Sequence, residues 1–275
     1  MQTATAEPAA LSGDAATGAP AAPPTLDRWL TRDVSASSYI AFRVAFGVLV
    51  MVGQVRFLAR GWVEEFYLRP EVHLTYPGFE WVRPLPAPAM YALVGALAIA
   101  GALIAVGWRT RAVAARFAGG FTYTELIDAA LYLNHYWFVS LAAGVLAVVP
   151  APAKGTVPRL TVAALRFQLA VVYVFAGLAK LIGDWLVRGE PLTTWLAART
   201  DRPIIGGLLD EPGVGLALSW TGAAFDLTIV GWLLWSRSRP AAYAMLVVFH
   251  LVTAALFQIG LFPWVMIALT PIFFS

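Results

Sequence analysis

Two groups of polar side chains interrupt otherwise apolar sequence. The stretch Leu169 to Asp184, LAVVYVFAGLAKLIGD, carries Tyr173, Gly177, Lys180 and Asp184 at spacings of four, three and four; TELIDAALYLNHYWF carries Glu125, Asp128, Tyr132 and His135 at three, four and three. Such spacings place each set on one face of a helix. Lys180 stands out because the basic residues are 17 arginines and only two lysines, Lys154 and Lys180. An ammonium facing hydrocarbon is costly, so an intramembrane lysine either serves a functional site or snorkels its long side chain to the interface. Burial disfavours the charged form and would leave an amine able to take a proton, whereas an adjacent Asp184 opposes this; a general base needs the first effect to win.

The acids of the other group belong toward a bundle interior or a wet cavity, where Asp128 either serves a site or holds Lys180 or an arginine in a structural pair. Gly177 admits a close neighbour, another helix or a flat ligand. The histidines, His73, His135 and His250, occur singly and without metal-ligand spacing, so no metal centre is expected. His250, inside VVFHLVTAALFQIG, reads as a hydrogen-bonded interior histidine. There is no cysteine, hence no disulfide framework or thiolate nucleophile. Hydrolytic triads and phosphate-cradling glycine loops find no support either.

The elements that must position these residues are membrane helices. Hydrophobic residues make up 60% of the chain and charged ones 13%, with a mean hydropathy of +0.72, well outside the soluble balance of roughly 25% charged. At about 20 residues per span, the fold class is an all-α, polytopic transmembrane bundle of about eight helices. The spans are expected near 36–58, 88–106, 112–131, 137–150, 161–182, 214–235, 239–256 and 260–273, the fourth and eighth being short. Residues 1–26 read as a disordered cytoplasmic tail, Asp27 to Arg32 as an interfacial helix and 27–275 as one membrane domain. Arginines concentrate in alternate loops with Arg28, Arg32, Arg109, Arg111 and Arg116, which puts the N-terminus inside by the positive-inside rule. The two long loops, Leu58 to Pro88 and Gly183 to Pro212, then lie outside with Lys180 and His135 beside them. The pI of 9.3 reflects arginines scattered at span ends rather than a nucleic-acid stripe, and no inverted repeat of broken helices points to a transporter.

The blocks LTRDVSASSYIAFRVAFG, ELIDAALYLNHYWF, QLAVVYVFAGLAKLIGDWLVRGEPL, FDLTIVGWLLW and FHLVTAALFQIGLFPWVMIALTPIFFS occur in this order across most of residues 28–275. In these blocks the sequence resembles the vitamin K-dependent gamma-carboxylase family and its bacterial HTTM-domain relatives. The resemblance implies that Lys180 is the base deprotonating a reduced quinone and that His135 assists it, with Asp128, Asn134, Asp184 and Trp185 around them; from their positions in the sequence Tyr173, Gly177 and His250 are further candidates for the surroundings of the site or its substrate pocket. It implies vitamin K hydroquinone or menaquinol, O2 and CO2 as co-substrates and no metal. The quinol anion adds oxygen, the resulting strong base takes a γ hydrogen from a peptide glutamate, CO2 traps the carbanion and the epoxide leaves, all in a dry pocket. Expected partners are membrane lipid, the quinol, and a glutamate-containing peptide or a separate soluble domain.

Two departures weaken the carboxylation half. Relatives that carboxylate continue into a large soluble domain where this sequence stops at Ser275, and some have two lysines where Ala179 precedes Lys180. The sequence therefore points to an enzyme of a bacterial inner membrane, its active site facing the exterior, that oxidises a hydroquinone to its epoxide. The competing reading is a non-enzymatic accessory of peptide maturation or secretion with the same fold. A transporter of small organic solutes is a third.

Overall fold

The computed structural model describes residues 25–203 and 205–274. Residues 1–24, most of the expected tail, lie outside the described residues. The basic stretch forms a short helix, α1 (Leu26–Thr31), and the guanidinium of Arg159 lies 4.8 Å from the centroid of its Trp29 ring. There follow β1 (Asp33–Ser35), α2 (Ser37–Ala59), α3 (Ala87–Val106), α4 (Thr110–Leu126), α5 (Asn134–Val148), β2 (Thr156–Pro158), α6 (Arg159–Ala179), α7 (Leu192–Ala197), α8 (Gly206–Leu209), α9 (Val214–Leu234), α10 (Arg239–Leu256) and α11 (Phe262–Leu269), which runs on into a 3-10 turn, Thr270–Phe274.

Five of these helices, α2, α3, α6, α9 and α10, are long and apolar enough to cross a bilayer, and α5 and α11 with its 3-10 turn are shorter apolar helices. This is the fold of an integral membrane protein. The helices are apolar all round because both the bundle interior and the lipid demand it. On α2, for instance, Tyr39, Phe42, Phe46 and Val50 are buried while Ile40, Val44, Val48 and Val52 face outward. The interior is aromatic where α2 meets α4: Phe46 packs edge-on to Phe117, which stacks on Phe121.

At the proximal face, where α2 begins, the arginines have a structural use. A helix ends in carbonyls without intrahelical partners, and a guanidinium fork can satisfy two of them at the negative end of the dipole. Arg43 donates to the carbonyls of Ile104 and Ala105 at the end of α3, and Arg111 donates to Ala147 near the end of α5. Arg166 donates to Ile272 and Phe273 in the terminal 3-10 turn, and Arg239 to Leu233 and Leu234 at the end of α9. A lysine lacks the planar fork. A two-stranded antiparallel ribbon, β1 with β2, also lies at this face, with Val34 opposite Val157.

The third expected span is shorter than the sequence suggested. α4 ends at Leu126, and Asp128 adopts an extended backbone with φ −146°. Its carboxylate accepts from the amides of Ala130 and Leu74, an Asx arrangement that competes with helix continuation. Glu125, Asp128, Tyr132 and His135 therefore do not share one helical face, since His135 belongs to α5. The segment Asp184–Arg188 likewise forms its own π-helical turn rather than prolonging α6.

Candidate active site

The distal end of α6 brings the main polar constellation together. Lys180 caps this helix, and its Nζ donates to Asp226 Oδ2 at 2.6 Å and to the Ala176 carbonyl at 3.1 Å. The indole of Trp185 presents its face to Nζ, 5.1 Å from the ring centroid. An ammonium has three donors, and these neighbours engage them. The two side chains are 17% and 7% exposed, so the amine does not reach out to the surface. Asp226 lies near the middle of α9, in VGLALSWTGAAFDLTIVGWLL, where it is the lone charge.

Gly177 permits this pairing. A Cβ there would stand 2.7 Å from Leu227 Cγ and 3.0 Å from the Leu227 amide nitrogen, so glycine lets α9 lie against α6 one residue from Asp226. The close neighbour at Gly177 is a helix, which settles the alternative that the sequence left open.

Tyr173, one turn below Gly177, is hydrogen-bonded through its hydroxyl to His250 Nε2 at 2.9 Å. Both are buried, and Phe225 packs edge-on to each. Among the described residues His250 Nδ1 has no partner. The remaining expected residues lie elsewhere. Asp184 is exposed and pairs with Arg188 at 3.1 Å, so it does not touch the lysine. Asp128 pairs not with Lys180 or an arginine but with His73, whose Nδ1 is 3.2 Å from Oδ2. This contact ties the loop before α3 to the turn before α5. Asn134 is exposed.

His135 is also displaced from its expected partner. It opens α5, its ring packing on Tyr136 at 4.7 Å and on Phe262 at 5.5 Å, and among the described residues no hydrogen bond or ion pair joins it to Lys180. Phe262 also packs on His250, 6.0 Å between centroids. The helix break at Asp128 places His135 on the side of α2 and α11, whereas Lys180 faces α9. A cavity of about 60 Å³ adjoins His135, Gln54 and Tyr136 within apolar walls from α2, α4 and α11, and Lys180 is not in its wall. Nearby, Glu125 is 8% exposed and has no hydrogen bond among the described residues. Burial and this neighbouring carboxyl hold the Tyr67 phenol above its ordinary range.

The HTTM domain family model matches residues 31–275, which spans every residue of the constellation. The chain belongs to the HTTM-domain family. This is the domain of the vitamin K-dependent gamma-carboxylase family. No solved structure matches the chain.

Within this HTTM domain, sequence reasoning missed Asp226 and His73. Asp226 had a visible signal, an isolated acid inside a 21-residue apolar helix, which by itself calls for a partner. His73 had none, since its role depends on a loop fold. Chemically, an amine beside a carboxylate in apolar surroundings can take up a proton and have the resulting ammonium stabilised at once.

Proposed function

We propose that this HTTM protein is a membrane enzyme that oxidises a hydroquinone of the vitamin K or menaquinol type, with Lys180 as the proton acceptor. The observation that carries the reading is the Lys180–Asp226 contact at 2.6 Å, a proton-holding pair set inside an apolar bundle, the surroundings a lipid-soluble quinol requires. In this reading the Lys180 amine takes the proton of a phenolic hydroxyl, and Asp226 stabilises the ammonium that results. Exclusion of water protects strongly basic species formed from the quinol and O2. Whether CO2 and a peptide glutamate follow belongs to the same proposal, and so does a role for His135, which makes no hydrogen bond to Lys180.

The donor set suits a quinol, but the space does not suit it unaided. The cavity beside His135, about 60 Å³, is far below the ~300–1,000 Å³ of sites for drug-sized ligands, so a quinol ring needs a side chain to move. The test is incubation of the purified protein in lipid vesicles with reduced vitamin K or menaquinol and O2, followed by chromatography of the quinone products. Epoxide from the wild type supports the enzyme. The two hydrogen bonds of Nζ and the indole face over it favour one second reading, an accessory protein of the same fold in which Lys180–Asp226 is a structural tie; it predicts no epoxide from any variant.

A further inference from the structure

Trp185 covers one side of the Lys180 amine. Its indole lies over Nζ, while the residue also packs with the distal cluster of Leu192, Leu196, Leu209 and Leu256. The π-helical turn that carries it, Asp184–Arg188, is held on its far side. The Trp220 indole donates to the Leu186 carbonyl at 2.7 Å, and Gly189, at φ +69°, lies so close to α9 that a Cβ would come 2.7 Å from the Leu216 amide. On its near side the turn is held by backbone hydrogen bonds, Leu186 to Ile182 and Leu181 to Leu178, both at 3.0 Å, with no close tertiary packing. Gly183 has nothing within 4 Å of a built Cβ, and Leu181, Ile182 and Asp184 are exposed. The far end is thus packed against α9 and the near end is tied only through local backbone hydrogen bonds, with the indole between them.

We propose that Trp185 is a movable cover over Lys180, which a planar aromatic ligand replaces by stacking against the indole as the ring swings off the ammonium. This rests on the quinol reading for the identity of the ligand, and on geometry alone for the cover. An indole face attracts a cation and a flat ring by related means, quadrupole attraction and offset stacking, so the exchange keeps the aromatic surface engaged. It also opens space beside Lys180, apart from the cavity at His135. Trp185 is a positioning residue in this scheme; the proton goes to Lys180.

The two lysines make the cover measurable without any activity. Full-length protein in detergent is pulsed with an acetylating N-hydroxysuccinimide ester, and acetylation of Lys180 and of Lys154, which lies in an exposed turn, is read by peptide mass spectrometry. Lys180 should react far more slowly than Lys154 in the wild type. Trp185→Ala and Trp185→Leu should raise the Lys180 rate about tenfold or more while leaving Lys154 unchanged, and Trp185→Phe should restore most of the protection, as for a local opening equilibrium. Reduced menadione should slow Lys180 acetylation further in the wild type and in Trp185→Phe, which keep a ring to stack on, and not in Trp185→Ala. An unchanged Lys180 rate in Trp185→Ala and Trp185→Leu, or Phe protecting no better than Ala, overturns the cover; absence of menadiol protection overturns its replacement by a planar ligand. If the wild type forms no epoxide while the acetylation contrast holds, the quinol reading fails and the cover stands.

Discussion

Removing one partner of the Lys180–Asp226 pair should be far more damaging than removing both. The side chains are 17% and 7% exposed, and Asp226 is enclosed near mid-helix, so Asp226→Leu strands an ammonium and Lys180→Met strands a carboxylate in apolar surroundings. Breaking a buried pair in this way costs about 3–5 kcal/mol, whereas replacing both partners with apolar residues of similar volume is often neutral. At about 2–4 °C per kcal/mol for a chain of this order of size, each single variant should lower the melting temperature by roughly 6–20 °C. The double variant Lys180→Met with Asp226→Leu should return to within a few degrees of the wild type. Detergent-solubilised protein scanned by intrinsic fluorescence, with monodispersity checked by gel filtration, gives the three values. A coupling between the sites below about 0.5 kcal/mol, the limit for independent positions, would refute the claim that the pair is buried and mutually dependent.

Gly177→Ala should destabilise by about 1–3 kcal/mol through overpacking against α9; adding Leu227→Ala should recover only part of this, because the Leu227 amide nitrogen also lies 3.0 Å from the built Cβ. Tyr173→Phe removes the partner of a His250 that is 2% exposed, and a loss of about 1–3 kcal/mol is expected for a buried polar group left unsatisfied, read as a lower melting temperature. Asp128→Ala deletes the acceptor for the Leu74 and Ala130 amides and for His73. Hydrogen exchange at Leu74 and Ala130 should accelerate while exchange in α2 stays unchanged; unaltered exchange at both amides would contradict the tie.

The apolar helices were legible because length and hydropathy fix them: the expected 88–106 and 239–256 correspond to Ala87–Val106 and Arg239–Leu256. The boundary after Leu126 was not. ELIDAALYLNHYWF has helical spacing throughout, but Asp128 turns its carboxylate to local backbone amides, and spacing alone cannot show that competition. Lys180 was singled out from the sequence, and the structure places it at the end of α6; its partner was sought on its own helix, at Asp184, or on α4, at Asp128. The pairing depends on Gly177 bringing α9 against α6, a tertiary contact that sets Asp226 across from the lysine. The proximal arginines read as topology markers, whereas in the fold they also cap helix C-termini, a role visible only once those ends lie beside them.

The central claim is that the Lys180 amine takes the proton of a quinol. In vesicles supplied with reduced vitamin K and O2, wild type and Lys154→Ala should form epoxide at equal rates. Lys180→Ala and Lys180→Met should lose about 10²–10⁴-fold, the usual contribution of a general base, with the protein still folded by gel filtration. Epoxide formation that persists at the wild-type rate in both Lys180 variants would contradict the account.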